Sequence, residues 1–260
     1  MKKHSMKNTN SIVLCGNIAT DVETSGPFLK FNVAVNQYSN GQKTASFFPV
    51  EVFGSNLNDD VRSCLTKGHC IYIEGYFKTN EYTNKNGQKQ YRDVIIAESV
   101  NTKTKGSFAY ATICGILLAD PRVRTTPSGK NVTEFRVGAA HNRVNKKTNT
   151  WVNNPAYMGV YAWEPLGDFI SKNFKQDSGI HVIGELVMNQ FTAKDGTKRT
   201  TYRVKALTAK FLNDADDNQT ATATPAQAAQ PTVSAANYGG ISAEDFESVD
   251  DLEDLEDLPF

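Results

Sequence analysis

The sequence predicts an all-β protein: two tandem five-stranded barrels, each carrying one short helix, followed by a disordered acidic tail. Three observations carry this. A hairpin pattern is written twice, the order of strand and helix signals repeats around it, and acidic residues crowd into the last 48 positions.

The hairpin comes first because it sets the count of units. Gly75 is followed by Asn80, Tyr82-Thr83, Lys85-Asn86-Gly87 and Lys89, and 109 positions on Gly184 is followed by Asn189, Phe191-Thr192, Lys194-Asp195-Gly196 and Lys198. Asn-Gly and Asp-Gly between extended runs mark tight hairpins, because both central residues take positive φ at little cost. Each copy therefore reads as two strands with an aromatic and two lysines near the tip. Self-similarity at this spacing means two domains rather than one.

Residues 1–10 are polar and read as a flexible N-terminus. The first domain, 11–101, opens with a strand over 11–18 that closes on Gly16-Asn17. Residues 31–36 alternate apolar and polar, the mark of a half-buried strand. A polar loop over 37–46 carries Tyr38 and Lys43, and 47–53 is the third strand. Residues 56–65 are the helical stretch, opened by Asn56 or Asn58 as cap and closed by Gly68. Strands over 70–78 and 91–97 form the hairpin. Three strands, a helix and two strands is the element order of the OB barrel, whose helix lies between strands three and four. Closure hides the sheet edges that short strands would otherwise expose.

A linker over 102–107 leads to the second domain, 108–212. Its strands are expected over 109–118, 132–139 and 156–162, its helix over 164–174, and its hairpin over 180–189 and 201–211. The loop over 141–155 is longer than its counterpart and carries Arg143, Lys146, Lys147 and Trp151. Gly16 and Gly115 are 99 apart against 109 for the hairpin glycines, so the insertions fall in loops.

Charge separates the rest. Lysine plus arginine equals aspartate plus glutamate, 28 of each, yet nothing after Lys210 is basic and 12 of the acids lie in 213–260. The body is thus strongly basic, which suits an anionic ligand, and the tail suits a protein partner. Residues 213–249, rich in Ala, Thr, Gln, Asn and Pro, read as a disordered linker. The tip, 250–260, alternates acids with leucine and ends Asp257-Leu258-Pro259-Phe260.

Several function classes are excluded. No apolar run nears the roughly 20 residues of a membrane span, and Met1-Lys2-Lys3-His4 has charge without the apolar stretch of a secretory signal. A cytoplasmic protein is expected. Cys15 and Cys114 sit in apolar strand patterns before equivalent glycines, Cys64 and Cys70 lack paired metal-ligand spacing, and all four read as structural thiols. There is no phosphate loop, no His-Glu-x-x-His and no nucleophile elbow, and the four histidines are isolated. Dense acids occur only in the tail, which cannot hold them in fixed geometry. No enzyme, catalytic residue, metal or cofactor is expected.

The aromatics point to binding. Tyr38, Phe47, Phe53 and Tyr82 fall in loops or on strands lining one side of the first barrel, with Tyr157, Trp163 and Phe191 in corresponding places of the second. Phe53 and Trp163 could equally be core. Tyr82 and Phe191 are flanked by polar residues near hairpin tips, where a ring can stack on a base whatever its identity. Lys78, Lys85, Lys89 and Arg92, with Lys194, Lys198 and Arg199, would follow the phosphates, and Lys43, Lys67 and Arg143 extend the basic set.

At this point the chain resembles the bacterial single-stranded DNA-binding protein family, in a form with two OB domains per subunit. Gly16-Asn17-Ile18 with Asp21 and Glu23 is similar to the opening motif of the family, as are Gly115, Asp120-Pro121-Arg122-Val123-Arg124 and Pro127-Ser128-Gly129. Lys67-Gly68 through Ile71-Tyr72-Ile73-Glu74-Gly75 resembles its fourth strand, and Asp257-Leu258-Pro259-Phe260 its acidic docking tip. The resemblance implies stacking roles for the seven aromatics, and wrapping of single-stranded DNA in replication, recombination and repair in the nucleoid. It also implies a homodimer with four OB folds, and recruitment of replication, recombination and repair proteins through the tip. Departures are visible: Arg143 stands where a loop aromatic is expected, Pro49 and Ser55 replace positions that are often basic, and Gln176 replaces the counterpart of Lys67. Two other readings stay open, an OB-fold accessory or interaction subunit of a replication or recombination complex, and an RNA-binding OB-fold chaperone.

Overall fold

A computed structural model describes residues 9–39, 42–83, 87, 89–145, 148–192 and 198–212. The N-terminus through residue 8, Lys85, Lys194 and the whole of 213–260, with Asp257, Leu258, Pro259 and Phe260, lie outside the described residues. So do the side chains of Tyr38, Arg143, Lys198 and Arg199.

The first barrel is built from β1 (Thr9–Ile18), β2 (Glu23–Ser25), β3 (Phe28–Ser39), β4 (Gln42–Phe53), α1 (Asp59–Cys64), β5 (Cys70–Thr83) and β6 (Lys89–Asn101). The second repeats them as β7 (Phe108–Leu117), β8 (Arg122–Thr125), β9 (Asn131–Asn145), β10 (Thr150–Trp163), α2 (Leu166–Asn173), β11 (Gly179–Thr192) and β12 (Lys198–Phe211). In the first barrel β1 pairs with β3 and β5, β3 with β4, and β5 with β6; a parallel pairing of β4 with β6, Val50↔Ile95 to Val52↔Ala97, closes the ring. The same ring forms from β7, β9, β10, β12 and β11, closed at Gly159↔Arg203 to Tyr161↔Lys205. These are the two five-stranded barrels of the OB type.

Alternation supplies the cores. Ile12 and Leu14 of β1, Val33 and Val35 of β3, Phe48 and Val50 of β4 and Ile71 and Ile73 of β5 are buried inside the first barrel, and the two interiors join in one cluster. α1 starts where Asn58 Oδ1 accepts the Val61 N–H at 2.8 Å, with Asp59 and Asp60 at the positive end of the helix. Asn58, not Asn56, is therefore the cap.

The repeated glycines have a packing reason. Between Glu74 and Gly75, and again between Ile183 and Gly184, the pairing register shifts, because Glu98 and Leu207 are each one extra residue on the partner strand. A Cβ on Gly75 would lie 2.1 Å from the Ile96 carbonyl oxygen, and one on Gly184 2.2 Å from that of Lys205. Only glycine lets the strands approach so closely at these bulges.

The barrels join edge to edge. β1 runs antiparallel to β7 from Thr9↔Cys114 to Cys15↔Phe108. Gly16 and Gly115 are equivalent, so Ile12 corresponds to Ala111, and those two face each other across the seam. An approximate two-fold axis passes through that pair. Across it, Tyr202 of the second barrel brings its ring to 5.6 Å from Phe48 and 6.3 Å from Phe77 of the first.

Three local expectations change. The polar loop over 37–46 is a strand pair reaching Ser39↔Gln42, and only Asn40 and Gly41 separate the two strands. The loop over 141–155 is likewise two paired arms, from Asn145↔Thr150 inward. Ladders here run on past the apolar alternation, because backbone pairing needs no apolar side chain. The short strands β2 and β8 add a hairpin arm to β3 and β9.

Candidate nucleic-acid interface

Outward-facing positions of β4 and the far end of β5 present the predicted rings of the first barrel. Phe47 lies between inward-facing Ser46 and Phe48 and is 43% exposed, and Tyr82 near the end of β5 is 49% exposed. A large ring left in water at two such positions, beside the basic residues of the hairpin, is the informative observation. Phe53, at the end of β4, is partly buried with its ring 4.1 Å from that of Phe28, tilted by 40°. Tyr38 pairs with Lys43 across β3 and β4, so the backbone puts these two opposite each other, and Lys43 is exposed.

The basic residues divide. Arg92 is exposed on β6, Lys78 is partly buried on β5, and Lys89 is exposed with its Nζ 2.9 Å from Glu81. Lys67 sits in the turn before β5, at the opposite end of that strand from Tyr82, roughly 40 Å of extended chain away. It does not join the hairpin group. Arg143, Lys198 and Arg199 have backbones in β9 and β12, with Arg199 opposite Phe191.

The second barrel is not a copy of this surface. Pairings Asn17↔Ala34 and Ile116↔Gly138 make Ala34 and Gly138 equivalent. The residue standing where Tyr38 stands is then Asn142, and Arg143 is one position further on, because a β-strand allows no slip of one residue without turning the side chain to the other face. By the same register Tyr157 answers to Phe47 and Trp163 to Phe53. Tyr157 is buried, with 9% exposure, whereas Trp163 is partly buried with its ring edge-on to Tyr161 at 6.5 Å. Phe191 is partly buried.

Sequence reasoning passed over the arginines on the outer wall of this barrel. Glu134 accepts from Arg203 Nη1 at 2.9 Å and pairs with Arg124 Nε at 3.3 Å, and Arg136 projects from the same face of β9. Glu134 and Arg136 are two apart on a strand, a spacing that puts both on one face and could have flagged the group.

Contacts between the barrels follow the approximate two-fold but with different chemistry. The Tyr157 N–H donates to Thr79 Oγ1 at 3.4 Å, and the Thr79 hydroxyl donates to Asp93 Oδ1 at 2.8 Å. At the related place the Phe47 N–H meets Met188 Sδ at 3.4 Å, and the Tyr202 hydroxyl donates to the Phe47 carbonyl at 3.1 Å. Gln37 Nε2 donates to the Leu186 carbonyl, while its counterpart His141 stacks on Tyr76 at 4.0 Å and meets Glu98 at 3.1 Å.

Asp93 makes this seam pH-dependent. Burial pushes its pKa up to about 6, against the Thr79 hydrogen bond and the Arg136 guanidinium, which pull it down. A raised pKa means that the folded state prefers the protonated acid. That contribution is complete below the unfolded value of 3.8 and is lost as pH rises through about 6. Asp93→Asn keeps an acceptor for Thr79 and carries no charge, so near neutral pH it should be more stable than the parent by about 2 kcal/mol. Urea unfolding across pH should show the gap closing as pH falls from about 6 towards 4. A gap that stays constant over that range contradicts the assignment.

All four cysteines are free thiols. Among the described residues no group of three or more His, Cys, Asp or Glu could hold a metal ion, and no helix is long and apolar enough to cross a membrane.

Comparison with known proteins agrees with this geometry. The model of the Single-strand binding protein family matches residues 9–102 and again 108–212. A single-stranded DNA-binding protein 2 of Chlorobaculum tepidum is 36% identical over 107 residues, 41% of this chain and 72% of that protein. A single-stranded DNA-binding protein of Thermus aquaticus is 27% identical over 212 residues, 75% of this chain and 74% of that one. The crystal structure of the wild-type single-stranded DNA binding protein from Thermus aquaticus superposes with a TM-score of 0.60 at 23% identity, covering 86% of this chain and 98% of that chain.

Proposed function

This chain belongs to the single-strand binding protein family, and from that premise we propose that it binds and wraps single-stranded DNA without regard to sequence, as a binding protein and not an enzyme. The observation that carries the reading is the pair of outward rings, Phe47 and Tyr82, on a strongly basic body. Bases of a single strand stack on the rings, and cations of the β5–β6 hairpin, Lys78, Lys85, Lys89 and Arg92, follow the phosphates. Lys43 adds charge opposite Tyr38, and Lys67 adds it at the far end of β5. Duplex is disfavoured because its bases are already stacked. Tyr38, Phe53, Trp163 and Phe191, with Arg143, Lys194, Lys198 and Arg199, extend the path over both barrels, and Tyr157, buried in this chain, stands outside it.

Fluorescence quenching by oligo(dT), oligo(U) and duplex DNA at low and high salt tests this. Strong quenching by oligo(dT), a weak response to duplex and a fall in affinity with salt through counterion release are expected. Absence of binding to oligo(dT) at low salt contradicts the reading, and a preference for oligo(U) moves it to RNA.

Two copies forming a homodimer with four barrels belong to the same proposal. Tyr110 and Ile183, 41% and 38% exposed, lie on the outer face of the sheet that runs β6-β5-β1-β7-β11-β12, and support a second copy meeting the first there. Tyr110→Lys with Ile183→Lys is expected to halve the mass measured by sedimentation equilibrium; a mass unchanged by the pair speaks against that face. The acidic tip, Asp257-Leu258-Pro259-Phe260, supplies a ring and charge for replication, recombination and repair proteins, in the nucleoid of the cytoplasm.

A further inference from the structure

The equivalent rings Phe47 and Tyr157 differ most in what the other barrel lays over them. Both have their N–H groups tied to the opposite hairpin, at 3.4 Å in each case, by Met188 Sδ for Phe47 and Thr79 Oγ1 for Tyr157. The backbone arrangement is therefore common to both. The residues flanking it are not. Beside Tyr157 the first barrel brings the cross-strand pair Glu81↔Tyr91. Beside Phe47 the second barrel brings the corresponding pair Gln190↔Thr200. Thr79, which holds the Tyr157 N–H, and Glu81 are two apart on β5 and share a face, and Tyr91 stands opposite Glu81; burial first, and then Tyr91 and Glu81, push the Tyr157 hydroxyl up to about 12. Where a tyrosine stands in place of that threonine, exposure is 9% at Tyr157 against 43% at Phe47.

We propose that Tyr91 is the residue that decides which barrel offers its central ring to a base: it caps Tyr157 with the hairpin of the first barrel and leaves Phe47 as the working platform. Tyr91 acts as a positioning residue on the partner barrel rather than as a base-contacting one. The inference rests on the stacking function proposed above and assigns it unequally, with the first barrel engaging the strand and the second holding its β10 ring in reserve.

Two readouts on the full chain separate this inference from that function. The first needs no DNA: tetranitromethane nitration mapped by mass spectrometry. Tyr82 is expected to be nitrated and Tyr157 protected in the parent chain. Tyr91→Thr should bring Tyr157 to the level of Tyr82, and Tyr91→Phe, which keeps the ring, should leave it protected. The second is oligo(dT) affinity in a double-mutant cycle. Tyr157→Ala is expected to change affinity less than about twofold in the parent and about tenfold in the Tyr91→Thr background, the loss of one stacked base. Nitration of Tyr157 in the parent equal to that of Tyr82 overturns the proposal. So does a Tyr157→Ala loss as large in the parent as that of Phe47→Ala. If instead no variant affects oligonucleotide affinity while the nitration pattern holds, the cap stands and the stacking function fails.

Discussion

Replacing Phe47 and Tyr82 together by alanine should weaken oligo(dT) binding on the order of a hundredfold or more while leaving the barrels intact. Each stacked base contributes about 1–3 kcal/mol through such a ring, and every 1.4 kcal/mol is roughly a factor of ten. Both side chains are already exposed, so their removal opens no cavity, and the thermal midpoint should move little. Anisotropy titration with a labelled oligonucleotide measures the loss. A loss below about threefold with the fold retained would mean that phosphate contacts alone hold the strand. Replacing Phe48 instead would fail as a control, because that ring is fully buried in the core.

Gly75→Ala carries the largest expected effect on stability. A methyl at that position would have to sit 2.1 Å from the Ile96 carbonyl oxygen, which neither strand can give way to without breaking the pairing beside the bulge. A loss of about 3 kcal/mol or more is expected, of the size seen when cores are overpacked. Gly184→Ala should behave alike, against the Lys205 carbonyl. Gly26→Ala is the internal comparison: its φ of +58° is unfavourable for alanine but nothing lies within 4 Å, so a loss of about 1 kcal/mol is expected. The buried cluster runs through both barrels, so urea unfolding of each variant should remain one transition shifted to lower denaturant. Equal midpoints for Gly26→Ala and Gly75→Ala would remove the steric explanation.

The same glycines mark what a sequence does and does not disclose. Their recurrence exposed the repeat, and the alternation around them was enough to place the closing hairpins. Their physical reason, a carbonyl on the neighbouring strand, is a contact between residues 21 apart and leaves no local sign. The arms of β3–β4 beyond Asn36 ended too early in sequence terms because polar residues there pair through backbone alone. Yet Asn40-Gly41 is itself a tight-turn signal of the kind that identified the other hairpin. β2, with Glu23, Thr24 and Ser25 all exposed, carries no apolar period to find. The pairing of β1 with β7 joins two edges whose composition is the same whether they are paired or free.

The site divides along the same line. Tyr82 stood among polar residues near a tip, and its exposure follows from that neighbourhood. Tyr157 sits in the same pattern as Phe47, alternating out of a strand, yet it is buried where its N–H meets Thr79, 78 residues earlier, on the hairpin that carries the Glu81↔Tyr91 pair. Side-chain period tells which face a residue takes, not what lies over that face. Asp93 is similar: an acid on a strand reads as solvated charge until the second barrel is brought against it.

Photocrosslinking of an oligo(dT) strand substituted with 5-iododeoxyuridine, followed by mass-spectrometric mapping, tests the binding of single strands on the first barrel most directly. Crosslinks should fall on Phe47 and Tyr82, fade with rising salt and be absent with duplex. Crosslinks confined to the second barrel, or equal yields from duplex and single strand, would contradict stacking on the first barrel as the basis of recognition.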